Sequence, residues 1–480
     1  MLDNTNTLLT KNEFLLHTIK NNIQNVYIIF CNPISGDQNG KKILELANRF
    51  TNDSGYKYID FSLIPNQNFE PIISFFFNII DNNERNKGLL LVKYLQNILK
   101  NTYTKILIGG GDGSVMSMIT TLRQNEIDIK KCIFGHIPLG TGNDLSISLG
   151  FGKQVNLSKP SIVELYNILY KYHTSKFGLL DIWKTELILD QINGQMIQKK
   201  KDGKIPLLDE NGMILKNYTK PFTNYLSLGY DARVGYNFDP KRTKSSCLNQ
   251  CVYCWEGCKK SIIRKTATVN NFIECIIFYE EDLNISNNFS KEINEESLLK
   301  KFSLMKIKYI IKPKSSAIPL KNNKNVITVL DEDCSIVFQN IISYMGGAKN
   351  IWKKSNNKSE IEDDLQKKNE NHYTETLEKS VNEFQSMSDS KLEIFTFESE
   401  IRVAFEKVIG GFAKKCYHGE GPIFIIFKNT NYNENDKYNR LYLNVDGEFF
   451  NLRGAKFMVV ELDRSFGDGQ LAFFMREKIK

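Results

Sequence analysis

Gly109-Gly110-Gly111-Asp112-Gly113-Ser114 holds the densest grouping of chemistry-bearing residues in the chain. An apolar run, Lys105-Ile106-Leu107-Ile108, precedes it, and Val115 to Leu122 follows with helical spacing. Consecutive glycines let backbone N–H groups close on an anion, and the start of a helix adds its positive end. An aspartate inside such a loop is costly unless it holds a metal or takes a proton, so Asp112 is the most informative acid in the sequence. Taken alone, the run is also compatible with a tight turn and an aspartate cap.

Two further loops carry the same character. Asn32-Pro33-Ile34-Ser35-Gly36 follows the apolar run Val26 to Phe30. Pro138-Leu139-Gly140-Thr141-Gly142-Asn143-Asp144 follows Cys132 to Ile137. Each could be an ordinary strand-to-helix turn, with Asn143 or Asp144 as a cap. Three small-residue, hydroxyl-bearing loops at one edge of a sheet suit a nucleotide polyphosphate. No spaced glycine is followed by Gly-Lys-Ser/Thr, so the site is not a P-loop.

These loops need a scaffold. Repeated strand, loop and helix over the first third implies a parallel sheet covered by helices, with ligands at the carboxyl ends of the strands. Beyond about Tyr172, short strand-like runs separated by turn residues take over. They are Asp181 to Leu189, Asn224 to Leu228, Phe272 to Tyr279, Lys306 to Ile311, Ser335 to Gln339, Pro422 to Phe427, Tyr442 to Val445 and Phe457 to Leu462. The fold class expected is α/β: an N-terminal parallel-sheet α/β nucleotide-binding domain over 22–172, then a C-terminal antiparallel β-rich, sandwich-like domain over 173–470. Polar, low-complexity inserts interrupt the second domain near 191–220, 282–301 and 352–390, and the last of these is expected to be disordered.

The 480 residues suffice for two domains, and 41% apolar content suffices for real cores. The net charge of +8, spread among mixed signs, suits a phosphate-rich ligand or an anionic membrane surface better than nucleic acid. No window approaches the roughly 20 apolar residues of a membrane span, and Met1 to Lys20 lacks the pattern of a signal peptide. A cytoplasmic protein with peripheral membrane association and reduced cysteines is expected.

The three loops resemble the catalytic domain of the diacylglycerol kinase family. The family's opening Asn-Pro-x-Ser-Gly stands as NPISG at Asn32 to Gly36, its Gly-Gly-Asp-Gly-Thr as GGDGS at Gly110 to Ser114, and its third loop intact as PLGTGNDL at Pro138 to Leu145. The second half resembles the family's accessory domain, in family order. LLDIWKTEL (Leu179 to Leu187), NYLSLGYDARVGYNFD (Asn224 to Asp239), QNIISYMGGAKNIW (Gln339 to Trp352), DSKLEI (Asp389 to Ile394) and LNVDGEFF (Leu443 to Phe450) carry that likeness. DSKLEI lacks the family's glycine at its second position.

The resemblance implies an ATP- and Mg²⁺-dependent transfer of phosphate to diacylglycerol in membranes, yielding phosphatidic acid. Asn32, Ser35, Gly36, Gly110, Gly111, Gly113, Ser114, Thr141, Gly142 and Asn143 would line the ATP phosphates. Asp112 would orient or deprotonate the lipid hydroxyl, or hold Mg²⁺ near the γ-phosphate. Glu448, beside Asp446, competes with Asp112 for the role of general base. Asp144, Asp181 and Asp231 would belong to the metal network. Sister lipid kinases acting on sphingosine, ceramide or monoacylglycerol, NAD kinase, and an inactive lipid-binding scaffold are the rival readings. The family's cysteine-rich zinc modules and calcium loops have no counterpart here, so a catalytic core standing alone is expected.

Cys247, Cys251, Cys254 and Cys258 are spaced four, three and four apart, which stacks them on one helical face. The expectation is a buried stripe rather than a zinc site. Lys241, Arg242, Lys244, Lys259, Lys260, Arg264 and Lys265 flank it, as a solvated rim or a surface for anionic head groups. His136 is expected inside a strand as a core or loop residue, and Phe75-Phe76-Phe77 as core packing.

Overall fold

A computed structural model describes residues 23–50, 56–98, 102–155, 157, 161–243, 246–263, 267–281, 295–313, 326–330, 333–347, 351, 385–406, 410–429 and 440–476. The chain divides into two compact units. The first comprises 1–180, 243–247 and 465–480, and the second 181–242 and 248–464.

The first unit is built on a seven-stranded sheet. Its strands include β1 (Val26–Cys31), β2 (Tyr58–Asp60), β3 (Ile73–Asn78), β4 (Thr104–Gly110), β5 (Cys132–Pro138) and β6 (Lys176–Asp181). The order is β2-β3-β1-β4-β5, then Gln470–Met475, then β6. β3, β1, β4, β5 and Gln470–Met475 pair in parallel, and β2 is antiparallel to β3. Every residue of β1 and β5 is buried, as expected of strands covered on both faces. Phe75, Phe76 and Phe77 are core residues of β3.

Helices follow the strands: α1 (Asn39–Asn48), α2 (Asn82–Ile98), α3 (Asp112–Gln124), α4 (Asp144–Ser148) and α5 (Ile162–His173). α1 buries Ile43, Leu44, Leu46 and Ala47, the stripe its spacing predicts. α3 buries Val115, Met116, Met118, Ile119 and Leu122. α5 opens with a capping box between Ser161 and Glu164.

The second unit has two sheets. One is seven-stranded, in the order Asn217–Phe222, Trp183–Leu189, Ala455–Leu462, Ile423–Phe427, Ile273–Tyr279, Ile307–Pro313, Val326–Leu330. The other is eight-stranded, in the order Lys414–Glu420, Lys391–Phe397, Ser335–Gln339, Tyr225–Gly229, Leu441–Val445, Glu448–Arg453, Gln195–Lys200, Gly203–Pro206. Trp183, Leu187 and Ile425 of the first sheet share a core with Leu228, Ile336 and Leu443 of the second, which makes the unit a β-sandwich. Pairing is antiparallel except between Ile307–Pro313 and Val326–Leu330. Helices α6 (Tyr230–Phe238) and α7 (Ser246–Ile263) lie between strands in sequence.

Three features differ from the sequence reading. The polar stretch 191–220 folds as the hairpin Gln195–Lys200/Gly203–Pro206 and the strand Asn217–Phe222, because turn residues between strands are what make it polar. Gln470–Met475 returns to the first sheet beside β5 instead of ending with the second domain. The cysteine stripe is not buried: Cys251, Cys254 and Cys258 are exposed and free. Tyr253 and Gly257 on the other side of α7 face the fold instead. Parts of the inserts at 282–301 and 352–390, namely 282–294 and 352–384, lie outside the described residues.

Candidate active site

The three glycine loops meet backbone to backbone at the carboxyl edge of the first unit's parallel strands. The Asn32 N–H donates to the Gly109 carbonyl at 2.7 Å, and the Leu139 and Gly140 N–H groups donate to the Gly110 carbonyl at 2.9 and 3.0 Å. The Asn32 amide reaches Ser114 Oγ at 3.2 Å. Two glycines are required by this closeness. A Cβ on Gly36, whose φ is +23°, would stand 2.0 Å from the Leu139 carbonyl oxygen. A Cβ on Gly140 would stand 2.6 Å from the Gly111 Cα.

The third loop is locked from within. Asn143 adopts left-handed φ/ψ and is buried. Its amide donates to the carbonyls of Gly140 and Lys153, each at 2.7 Å, while its Oδ1 accepts the Gly140 N–H at 3.1 Å. Asn143 thus shapes the loop as well as bordering it, a role that its short amide side chain suits.

Asp112 stands at the centre of the assembly, in the first turn of α3. Its Oδ2 accepts the Asp144 N–H at 2.9 Å and its Oδ1 the Leu145 N–H at 3.2 Å. The carboxylate therefore caps α4 from outside, tying the second loop to the third. Gly111, at the N-cap of α3, supplies no side-chain cap to that helix, which leaves its first turn suited to a bound anion.

His136, the fifth residue of β5, lies fully buried beneath these loops. Its Nε2 is 3.1 Å from the Gly110 carbonyl, so this nitrogen carries the proton and donates. Its Nδ1 lies 3.6 Å from Asp112 Oδ1. The distance would admit an ion pair. Burial, however, pulls the imidazole pKa down to about 4, against a weaker upward pull from the Gly110 carbonyl, so the ring is neutral near pH 7. A lone pair of His136 thus faces the Asp112 carboxylate. The sequence places His136 in a strand; its contact with Asp112 comes from register, since Ile108 pairs with His136 and the loop begins one residue later.

The candidates Asp181, Asp231 and Glu448 lie in the second unit. Asp446 and Gly447 both have positive φ and form the tight turn between Leu441–Val445 and Glu448–Arg453. The buried Asp446 carboxylate accepts N–H groups from Thr223 at 2.7 Å, Asn224 at 2.9 Å and Tyr225 at 3.1 Å. Glu448 is half-exposed and pairs with Lys220 Nζ at 2.6 Å. The two neighbouring acids thus divide: Asp446 holds the turn, and Glu448 projects.

Asp231 is buried, and desolvation raises its pKa despite three hydroxyl partners. It accepts hydroxyls from Ser227, from Ser335 at 2.9 Å and from Tyr344 at 3.0 Å. Asp181 accepts the Ser390 N–H at 2.7 Å, joining the LLDIW strand to the DSKLEI segment. These contacts give Asp231 and Asp181 structural work in the sandwich. Among the described residues, no three His, Cys, Asp or Glu side chains gather as a metal site.

An α/β unit whose three glycine loops meet at one sheet edge, followed in the chain by a β-sandwich, is the class of protein that the fold defines. Residues 26–166 match the diacylglycerol kinase catalytic domain and residues 221–449 the diacylglycerol kinase accessory domain. The chain belongs to the diacylglycerol kinase family. Diacylglycerol kinase 3 of Arabidopsis thaliana is 32% identical over 174 residues, covering 32% of this chain and 35% of that protein. Eye-specific diacylglycerol kinase of Drosophila melanogaster is 25% identical over 258 residues, 52% of this chain and 15% of its own. Human diacylglycerol kinase iota is 22% identical over 269 residues, 55% of this chain and 21% of its own. The matched stretches thus span about a third or less of these relatives' length.

Proposed function

We propose that this chain is an ATP-dependent diacylglycerol kinase that converts 1,2-diacylglycerol to phosphatidic acid. The observation that carries the reading is the closure of three glycine loops around Asp112. In the reaction, the lipid hydroxyl oxygen forms a bond to the γ-phosphorus as the bond from that phosphorus to the β-bridging oxygen breaks. ADP leaves, and the hydroxyl proton passes to a carboxylate.

The chain's part in this is positioning and charge. Backbone N–H groups of the loops and the first turn of α3 receive phosphate oxygens, with Ser35, Ser114 and Thr141 offering hydroxyls. Asp112 takes the role of general base or orienting group for the lipid hydroxyl. Its capping bonds and the His136 lone pair fix where its oxygens point. Glu448 is the second candidate base, since it projects while Asp446 is consumed by its turn.

Asp112 and Asp144, adjacent through the Asp144 N–H, would hold Mg²⁺ as hard carboxylate donors without a full protein cage, as suits an ion that takes one or two carboxylates plus phosphate oxygens and water. When bound, it neutralises charge on the transferred phosphate. Asp181 and Asp231 join this network only through the elements that they brace.

The substrate resides in membranes, so catalysis requires a peripheral encounter with a bilayer. No helix among the described residues is long and apolar enough to cross one. A cytoplasmic protein that visits an anionic surface accords with the +8 net charge.

The test offers diacylglycerol, ceramide and sphingosine together in mixed micelles with labelled ATP and Mg²⁺. Label in phosphatidic acid supports the assignment. Label in a sphingolipid moves the chain to a sister substrate, and no label in any lipid removes the kinase reading.

A further inference from the structure

Lys220 reaches Glu448 from the other sheet of the sandwich. It lies in Asn217–Phe222, the outermost strand of the seven-stranded sheet, whereas Glu448 opens Glu448–Arg453 in the eight-stranded one. Alternation decides which side chains each strand turns inward. Along the first strand, Tyr218, Lys220 and Phe222 share a face, Thr219 is exposed on the other, and Phe222 is fully buried in the core between the sheets. Along the second, Glu448, Phe450 and Leu452 share a face, and Phe450 and Leu452 belong to that same core. Phe449, on the opposite face, packs with Tyr236 of α6 and with Tyr442. Lys220 and Glu448 are thus inward-facing residues that meet across the rim of the core.

The lysine is the fixed member of the pair. One rung inward, Tyr218 meets Phe450 edge-on, with ring centroids 5.4 Å apart. Pro221 confines the Lys220 backbone to an extended conformation, and Lys220 pairs in register with Thr185. Its side chain is 19% exposed against 51% for Glu448, and its Nζ stands 2.6 Å from Glu448 Oε1. In an ordinary surface ion pair both side chains must be ordered for the contact to form. Here a held ammonium restrains an accessible carboxylate. Burial pushes the neighbouring Asp446 carboxyl up, and the N–H groups of Thr223 and Asn224, then the Lys220 charge, pull the other way.

We propose that Lys220 is a positioning residue for Glu448 in the phosphate transfer: it fixes Oε1 and leaves Oε2 to accept the proton of the lipid hydroxyl. The inference rests on the reading in which Glu448 is the base. A glutamate without an anchor would spread its carboxylate over many rotamers, and the entropy of gathering them would fall on the reaction step. Lys220 meets that cost in folding, before substrate arrives.

The experiment is a double-mutant cycle on the full chain: wild type, Lys220→Met, Glu448→Gln and the two together. kcat and the KM for ATP are measured on diacylglycerol in detergent micelles, and urea midpoints on the same samples. Lys220→Met is expected to lower kcat by about 10–100-fold at an unchanged KM for ATP, the order of loss that a misplaced reacting group brings. In the Glu448→Gln background the same substitution is expected to cost less than about twofold, because the carboxylate it positions is gone. Lys220→Arg, which keeps charge and reach, restores most of the kcat lost in Lys220→Met. If Lys220→Met does not fold, Lys220→Gln keeps a polar head at the rim and completes the same cycle. Losses that multiply in the double variant overturn the proposal, since Lys220 then acts through something other than Glu448. A wild-type kcat in Lys220→Met overturns it too, as does a rise in KM for ATP alone, which makes Lys220 a nucleotide contact. Wild-type kcat in Glu448→Gln removes Glu448 as the base and this inference with it. A loss in Glu448→Gln beside full activity in Lys220→Met removes this inference alone.

Discussion

Asp112 caps the helix that begins at Asp144, its Oδ2 accepting the Asp144 N–H at 2.9 Å. One carboxylate therefore does two things. It closes the second and third glycine loops onto each other, and it is the residue proposed as the base. The same contact explains why an acid is tolerated in this glycine loop: donors of α4 and its positive end offset the charge.

His136 gives the site a measurable pH signature. Its pKa is pulled from an ordinary 6.5 to about 4 in the folded protein. Between those values the unfolded chain binds a proton that the folded chain refuses, so stability falls as pH drops from about 6.5 to about 4. The difference is worth about 3 kcal/mol, at about 1.4 kcal/mol for each pH unit. His136→Leu should flatten this part of the urea-midpoint profile relative to wild type. It also removes the lone pair facing Asp112, and the pH profile of kcat/KM for the same variant reads whether that contact bears on the reaction. An unchanged acid limb would separate His136 from the chemistry.

Asp446 and Glu448, two residues apart, should fail differently. Asp446→Asn leaves buried N–H groups of the Thr223–Tyr225 segment short of an acceptor and should cost about 1–3 kcal/mol in chemical denaturation. Glu448→Gln breaks only a half-exposed pair with Lys220. It should leave the denaturation midpoint near wild type while lowering kcat, by about a hundredfold or more where Glu448 moves the proton. Steady-state kinetics and denaturation on the same samples separate the two outcomes.

Gly140→Ala probes loop closure. The new methyl would meet Gly111 backbone at 2.6 Å and Asn143 Oδ1 at 2.9 Å, so the second and third loops must part. A misplacement of about 1 Å can cost about a hundredfold in rate, and a loss of that order in kcat/KM for ATP is expected together with a lowered thermal midpoint, since the clash is with backbone. ATP titrations at saturating lipid measure it.

Much of this was legible in the residues. Val26 to Phe30, Lys105 to Ile108 and Cys132 to Ile137 read as buried strands because both their faces are covered, leaving unbroken apolar runs. That the three loops belong together was legible too, because glycine, hydroxyl and amide side chains cluster after each of those runs. What stayed hidden depended on distant pairing. Ile73–Asn78 is a short aromatic run whose place beside β1 is set by a sheet that sequence spacing does not reveal. Gln470–Met475 joins the first sheet from the far end of the chain. The hydroxyl cage of Asp231 gathers Ser227, Ser335 and Tyr344 from three segments, a grouping that no local spacing reveals. The cysteine stripe went the other way: helical spacing establishes that residues share a face, but not which face meets the core.

The most direct measurement is kcat for phosphate transfer from ATP to diacylglycerol by Asp112→Asn, beside wild type, with thermal unfolding of both. Asparagine retains one oxygen to cap α4 but removes the base. The account predicts a fall of about 10²–10⁴ in kcat with a small shift in melting temperature. A variant that folds and turns over at the wild-type rate would contradict it, since the carboxylate at the junction of the three loops would then have no part in the chemistry.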